Sequence, residues 1–206
     1  MIISVDLGQA TDFTAISVIK REGEELQVIH LERFPLGMAY PEQVKRITDL
    51  YKKLKEIYKE VPTLVLDRTG VGRGIVDLLQ DVRLISITIT GGNVVTKDGR
   101  NWNVPKRDLI HGLVVQFQTG KIKIVRSLPD AEILIKELLN FKMKVNITTG
   151  HDSYEAWREG IHDDLVLSVA MGAYVESFPK PCAFVRGRDR NRTNCLYSVD
   201  SGRRIG

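Results

Sequence analysis

Cysteine is scarce in this 206-residue chain, which has only Cys182 and Cys195. They are spaced too widely for a CxxC zinc or redox motif and read as ordinary reduced thiols, with a disulfide between them as the alternative. Long hydrophobic runs are missing as well. No stretch approaches the roughly 18 consecutive apolar residues that a membrane span needs, and no basic stretch leads into a signal-type apolar core at the N-terminus. A soluble, cytoplasmic protein with no membrane partner is the expectation. Internal repeats are absent. The four histidines, His30, His111, His151 and His162, show no mutual spacing that suggests a metal site.

What is present is a composition 43% hydrophobic, enough for one domain with a sizeable core. The net charge of +4 is unevenly spread. Lys180, Arg186, Arg188, Arg190, Arg192, Arg203 and Arg204 outnumber Asp189 and Asp200, so residues 180–206 carry +5 and the preceding 179 residues sum to −1. An Arg-rich tail fits contact with a polyanion, because guanidinium groups grip phosphate bidentately. The same composition also suits a solvated, disordered terminus.

Periodicity organises the rest. Ile2–Leu7, Thr14–Lys20 and Leu26–Phe34 read as a three-strand antiparallel meander. Pro41 opens an amphipathic helix with Val44, Ile47, Leu50, Leu54 and Ile57 at intervals of three and four. Thr63–Leu66, ending in Asp67, is apolar without alternation and predicts a central strand buried on both faces. Gly70, Gly72 and Gly74 precede a short helix, and Leu84–Ile89 predicts a further strand. Thr90–Val104 is the longest aperiodic stretch and reads as a loop. A helix from Pro105, a strand at Lys121–Val125, a helix from Pro129 and a strand at Phe141–Asn146 follow. After the irregular stretch Thr148–Gly160 comes a strongly apolar helix from Asp163 to Glu176. The order predicts an α/β fold, a mixed sheet with helices on both faces.

Three acidic positions stand at the ends of elements that this order brings together: Asp6, Asp67 and the pair Asp163-Asp164. Each has a plainer use, since Asp6 could end a strand, Asp67 could start a turn, and Asp163 and Asp164 could favour a helix dipole. Taken together they are more informative. Carboxylates that converge repel one another unless a cation compensates, and an all-oxygen donor set favours Mg²⁺ or Mn²⁺. Two such ions about 4 Å apart clamp a scissile phosphate, one activating water and the other stabilising the leaving oxygen. Asp6 is the candidate bridging ligand, Asp67 and Asp164 each complete one site, and Asp163, Asp12 or His162 could add an outer contact.

Ile3-Ser4-Val5-Asp6-Leu7-Gly8, Leu64-Val65-Leu66-Asp67-Arg68-Thr69-Gly70-Val71-Gly72 and His162-Asp163-Asp164-Leu165-Val166-Leu167-Ser168-Val169-Ala170 resemble the three motifs of the nuclease domain of tailed-bacteriophage large terminases. The third, a His-Asp-Asp run entering an apolar, Ala-containing helix, is the most distinctive. The resemblance spans residues 1–177 in motif order and spacing more than in continuous identity. It implies an RNase H-like fold over residues 1–179, followed by the basic tail 180–206. It also implies two divalent cations and cleavage of double-stranded, concatemeric phage DNA during genome packaging in the bacterial host cytoplasm. By position, Asp6, Asp67 and Asp164 match the catalytic carboxylates, with Asp163 as their neighbour. The partners it implies are a packaging ATPase domain, a small terminase subunit and a portal. No GxxxxGK[ST] phosphate loop precedes the motifs, so the chain reads as an excised domain or a free-standing relative.

Lys97, Arg100, Lys106 and Arg107 flank the aperiodic stretch, while Lys121 and Lys123, and Lys142 and Lys144, lie on the faces of the two late strands. Either these line a phosphate-binding groove or they protect edge strands from pairing. Trp102 is a base-stacking candidate or a loop anchor. Three rival readings remain: a Holliday-junction resolvase or other RNase H-like nuclease, one lobe of an actin-like ATPase built on Asp6-Leu7-Gly8-Gln9-Ala10-Thr11, and a non-catalytic DNA-binding or assembly module.

Overall fold

Alternation along the opening residues places side chains on two faces, and the expected meander forms. In the computed structural model, β1 (Ile2–Asp6), β2 (Ala15–Glu22) and β3 (Glu25–Arg33) are successively antiparallel. The structure describes residues 1–8, 12–69, 72–76, 78–79, 82–147 and 162–178. The basic tail, both cysteines and His151 lie outside the described residues. α1 (Tyr40–Tyr58) starts at its proline and leads to β4 (Thr63–Asp67), which pairs in parallel with β1. After α2 (Gly72–Val76), β5 (Leu84–Thr90) extends the parallel part beside β4. Then come β6 (Thr96–Asp98), β7 (Asn101–Pro105), α3 (Lys106–Gln118), β8 (Ile122–Ile124), α4 (Ala131–Ile147) and α5 (Asp164–Glu176). The eight strands lie in the order β6-β7-β5-β4-β1-β2-β3-β8.

The two faces of this mixed sheet are covered differently. Ile3, Val5, Leu64 and Leu66 pack with Ile47, Tyr51, Leu54 and Ile75 under α1 and α2. Ile2, Ile19, Val65 and Ile87 pack with α3, α4 and α5 on the other face. α5 is buried on nearly every side, as expected of a helix apolar all round. Its small residues let it lie close to the sheet. Ser168 Oγ donates to the Ser4 carbonyl at 2.8 Å, and a Cβ on Gly172 would stand 2.9 Å from Ile19 Cδ1 and 3.0 Å from Ser4 Cβ. Among the described residues no helix is long and apolar enough to cross a membrane.

Three expectations are corrected. Within the stretch Thr90–Val104, β6 and β7 form a hairpin turning through Gly99 and Arg100, and the φ of 56° at Gly99 suits glycine. Trp102 therefore lies in a strand. The strand expected at Phe141–Asn146 is the continuation of α4, so Lys142 and Lys144 are helical. Leu134, Leu138, Phe141 and Val145 are also spaced by three and four, and no Gly or Pro interrupts Ala131–Ile147, so helix propagation overrides the short alternation. On α1 the buried stripe is Gln43, Ile47, Tyr51 and Leu54, while Ile57 is 59% exposed. Gln43 and Tyr51 take core positions because their polar ends are hydrogen-bonded, to Thr14 and Met38 and to the Arg83 N–H respectively.

Candidate active site

Strand geometry fixes where two of the predicted carboxyls go. β1 and β4 run parallel with Val5 opposite Leu66, so Asp6 and Asp67 follow side by side at the C-terminal ends of neighbouring strands. Side chains alternate between faces, and Val5 and Leu66 belong to the α1 side. Asp6 and Asp67 therefore point to the α5 side, as Ile2 and Val65 do. α5 begins there, with Asp163 at its N-cap and Asp164 in its first turn. Asp6, Asp67 and Asp164 are all buried, at 7%, 7% and 6% exposure.

The electrostatics follow from this crowding. Burial raises the Asp6 pKa well above its ordinary value, and the charges of Asp67, Asp164 and Asp163 raise it further against the pull of Lys106. Burial also raises Asp67, opposed by hydrogen bonds from Thr69 and Asp6 and by Lys106. One of those bonds is the Thr69 N–H to Oδ1 at 2.7 Å. Asp164 is pushed up to about 6, mainly by burial, with Arg33 and His162 opposing and Asp163 and Asp12 adding. Among the described residues its Oδ2 is buried without a hydrogen-bond partner, and His162 Nδ1 stands 3.7 Å from it.

The basic candidates separate. Lys106, at the start of α3, joins the acidic cluster through a 2.7 Å contact with Asp163 Oδ2. Arg107 bonds to Asp108 and to the Asn93 carbonyl. Lys97 lies over the rings of Trp102 and Phe178, and burial lowers its pKa. Lys97 and Arg100 belong to the β6–β7 edge, whereas the exposed Lys121 and Lys123 belong to the β8 edge. Seven strand spacings separate those edges, roughly 33 Å, so these lysines do not form one groove. Asp12 is exposed, in the β1–β2 connection.

Sequence reasoning missed Glu137 and Arg33. Glu137 is 4% exposed on α4 and its pKa is pushed up to about 7, chiefly by burial. Its Oε2 accepts the Val166 N–H at 3.1 Å, and its Oε1 lies 3.8 Å from Arg33 Nη1. The available signal was its place on the core-facing stripe Ala131-Leu134-Glu137, where a carboxylate is out of keeping with its neighbours.

A mixed sheet with helices on both faces, like this one, has counterparts among solved structures. The nuclease domain of human cytomegalovirus terminase, Mn soaked, superposes with a TM-score of 0.54 at 14% identity, covering 84% of this chain and 82% of that one. The large terminase of the thermophilic bacteriophage D6E superposes with a TM-score of 0.57 at 12% identity, covering 86% of this chain but 39% of the phage protein. The chain has the RNase H-like fold. Neither a family profile nor a curated protein sequence matches it. Within the RNase H-like sheet, the buried acids meet at the ends of β1 and β4, where the N-terminus of α5 closes over them. Among the described residues no three His, Cys, Asp or Glu side chains stand close enough to hold one metal ion jointly.

Proposed function

We propose that the chain is a metal-dependent endonuclease that hydrolyses phosphodiester bonds of double-stranded DNA using two divalent cations, Mg²⁺ or Mn²⁺. The observation that carries this reading is the meeting of Asp6, Asp67 and Asp164, three buried carboxyls drawn from distant parts of the chain, each with a raised pKa. Buried acids so poorly paired cost stability unless something compensates. Hard cations fit the site, because the donors are all oxygens and Asp164 Oδ2 is buried with no hydrogen-bond partner among the described residues. Asp6, which feels the charge of both Asp67 and Asp164, would be the shared ligand. Asp67 and Asp164 would each complete one site, with Asp163 as an outer contact. Mg²⁺ ordinarily takes only one or two protein carboxylates beside water and phosphate oxygens, so pairs of ligands suffice.

When bound, such ions lower the pKa of the attacking water and offset charge on the leaving 3′ oxygen. The chain's own groups prepare the site. The Thr69 N–H orients Asp67, and Lys106 lowers the negative potential that would repel a DNA phosphate. The likeness to terminases is the ground for double-stranded DNA as substrate. It is also the ground for a packaging ATPase, a small terminase subunit and a portal as partners in a phage-infected bacterial cytoplasm. The Mn-soaked cytomegalovirus domain supports the choice of cation.

The test is cleavage of supercoiled plasmid by wild type and by Asp6→Asn, Asp67→Asn and Asp164→Asn, with Mg²⁺, Mn²⁺ or EDTA. Metal-dependent nicking and linearisation, lost in each folded variant, is expected. Cutting by the variants at the wild-type rate would overturn the site. Failure of wild type to cut plasmid or branched DNA would overturn the activity.

A further inference from the structure

Asp164 stands in the first turn of a helix whose N-cap residue, Asp163, makes no side-chain cap bond. Helix starts leave N–H groups that need acceptors, and in a buried helix water does not supply them. The acceptor comes from another element. Glu137 on α4 reaches across and takes the Val166 N–H at 3.1 Å, a bond buried between residues 29 apart. The other end of the same carboxylate faces Arg33 at the end of β3, with Oε1 and Nη1 3.8 Å apart. Arg33 in turn lies over the ring of Phe13, its Cζ 3.7 Å from the centroid. Phe13 meets His162 edge-on at 5.0 Å, and His162 returns to Asp164 Oδ2 at 3.7 Å. The contacts close a ring around the start of α5.

We infer that Glu137 and Arg33 are positioning residues for Asp164, with Glu137 serving as the helix cap that α5 lacks locally and Arg33 holding Glu137 and Phe13 in place. Each contact in the ring constrains a different part. Glu137 fixes the height of the first turn above the sheet, and Arg33 fixes Glu137 relative to β3. Phe13 and His162 limit the approach to Asp164 from the side of the β1–β2 connection. Without the ring, the Asp164 backbone would depend on the stretch before it and on the apolar packing of later turns. A ligand needs placement to within about 0.5 Å, which packing at the far end of a helix does not deliver.

The consequence for catalysis rests on the nuclease reading, whereas the geometry does not, and the test separates the two. Glu137→Gln keeps an oxygen for the Val166 N–H, and Glu137→Met removes it at similar length. Arg33→Met removes the guanidinium. In metal-free protein, amide hydrogen exchange at residues 164–167 is expected to quicken roughly tenfold in Glu137→Met and less in Arg33→Met, while Glu137→Gln stays near wild type. Plasmid nicking at saturating Mn²⁺ should fall about tenfold in Glu137→Met with DNA affinity within twofold of wild type, and Glu137→Gln should restore it.

Unchanged exchange at 164–167 in Glu137→Met overturns the cap. Exchange that rises equally through the whole sheet shows a general packing role and overturns positioning. Faster local exchange with unaltered nicking shows a cap that does not set the carboxylate, which also overturns it. If wild type does not cut, the nuclease reading fails while the exchange result still decides the cap.

Discussion

The two faces of the sheet are built from the same strands but are finished differently. Under α1, the buried polar groups among the described residues are few and neutral: Gln43 accepts from Thr14 and donates to the Met38 carbonyl. Under α5, the buried groups include Asp6, Asp67, Glu137 and Asp164, with orphaned oxygens on the last two. On the α5 side, among the described residues, Ser4 Oγ and Gln116 Oε1 are buried without a hydrogen-bond partner as well, but only at the start of α5 are the unsatisfied groups carboxylates. Departures of this kind concentrate where a protein binds or reacts. The α1 face stabilises the fold, and the α5 face gives up some stability to keep its acids.

The sharpest way to break the comparison is to neutralise the acids. Asp6→Asn is expected to reduce nicking roughly 10³-fold or more, the scale on which removal of a catalytic group acts. The same change should leave the metal-free melting temperature unchanged or raise it, because burial and three like charges already disfavour ionised Asp6. A plasmid assay beside calorimetry in EDTA checks both. If Asp6→Asn unfolds the protein, the carboxyl is a structural partner and the contrast between the faces collapses.

The opposite behaviour is expected under α1. Leu66→Ala, at a fully buried position one residue before Asp67, removes core volume on the α1 side. It should cost about 2–5 kcal/mol of stability. Nicking per folded molecule should change less than about threefold, since the backbone carrying Asp67 keeps its ladder to β1 and β5. Urea titration gives the first number, and activity scaled to the folded fraction gives the second.

The legible parts of the sequence were those where one pattern spoke alone. The alternation of β1 to β3, the unbroken apolar run of β4 and the all-round hydrophobicity of α5 each admitted one reading, and the strand-end acids could be located from them. The hairpin was hidden because β6 is three exposed residues with no apolar member, so only the β7 flank of the Gly99-Arg100 turn alternates. Phe141–Val145 satisfied two periods at once, and only cooperativity with the preceding helix decides between them. Lys106 meets Asp163 across 57 residues, and Glu137 meets Val166 across 29. No local pattern encodes such pairs, although a glutamate on an apolar stripe was a sign that a partner waits inside.

Solution pH sharpens the comparison further. Asp164 and Glu137 bind protons more tightly in the folded chain, with pKa values of about 6 and about 7 against ordinary values of 3.8 and 4.5. The stability they contribute is fully present below those ordinary values and is lost as pH rises through about 6 and then about 7. The urea midpoint in EDTA should therefore fall between pH 5 and pH 8. Mg²⁺ should restore it at pH 8 and do little at pH 5, where protonated carboxyls bind metal poorly. A midpoint that holds steady across this range in EDTA would mean that the acids are not strained.

The smallest expected effect lies at the sheet edge. Lys97 could serve the DNA backbone, but its ammonium sits 3.7 Å from the Trp102 ring centroid and 3.3 Å from that of Phe178. Trp102 and Phe178 meet edge-on at 5.2 Å, and Phe178 meets Tyr174 at 5.1 Å, so the lysine completes an aromatic contact between the hairpin and the end of α5. Such a contact at a largely exposed site is worth about 0.5–1 kcal/mol. Lys97→Gln should cost that much in urea titration and leave the salt dependence of DNA binding unaltered. A phosphate contact would behave in the opposite way, since its loss lowers the log–log salt slope by about one while sparing stability. The pair of measurements decides whether this lysine belongs to the architecture of the α5 face or to its substrate.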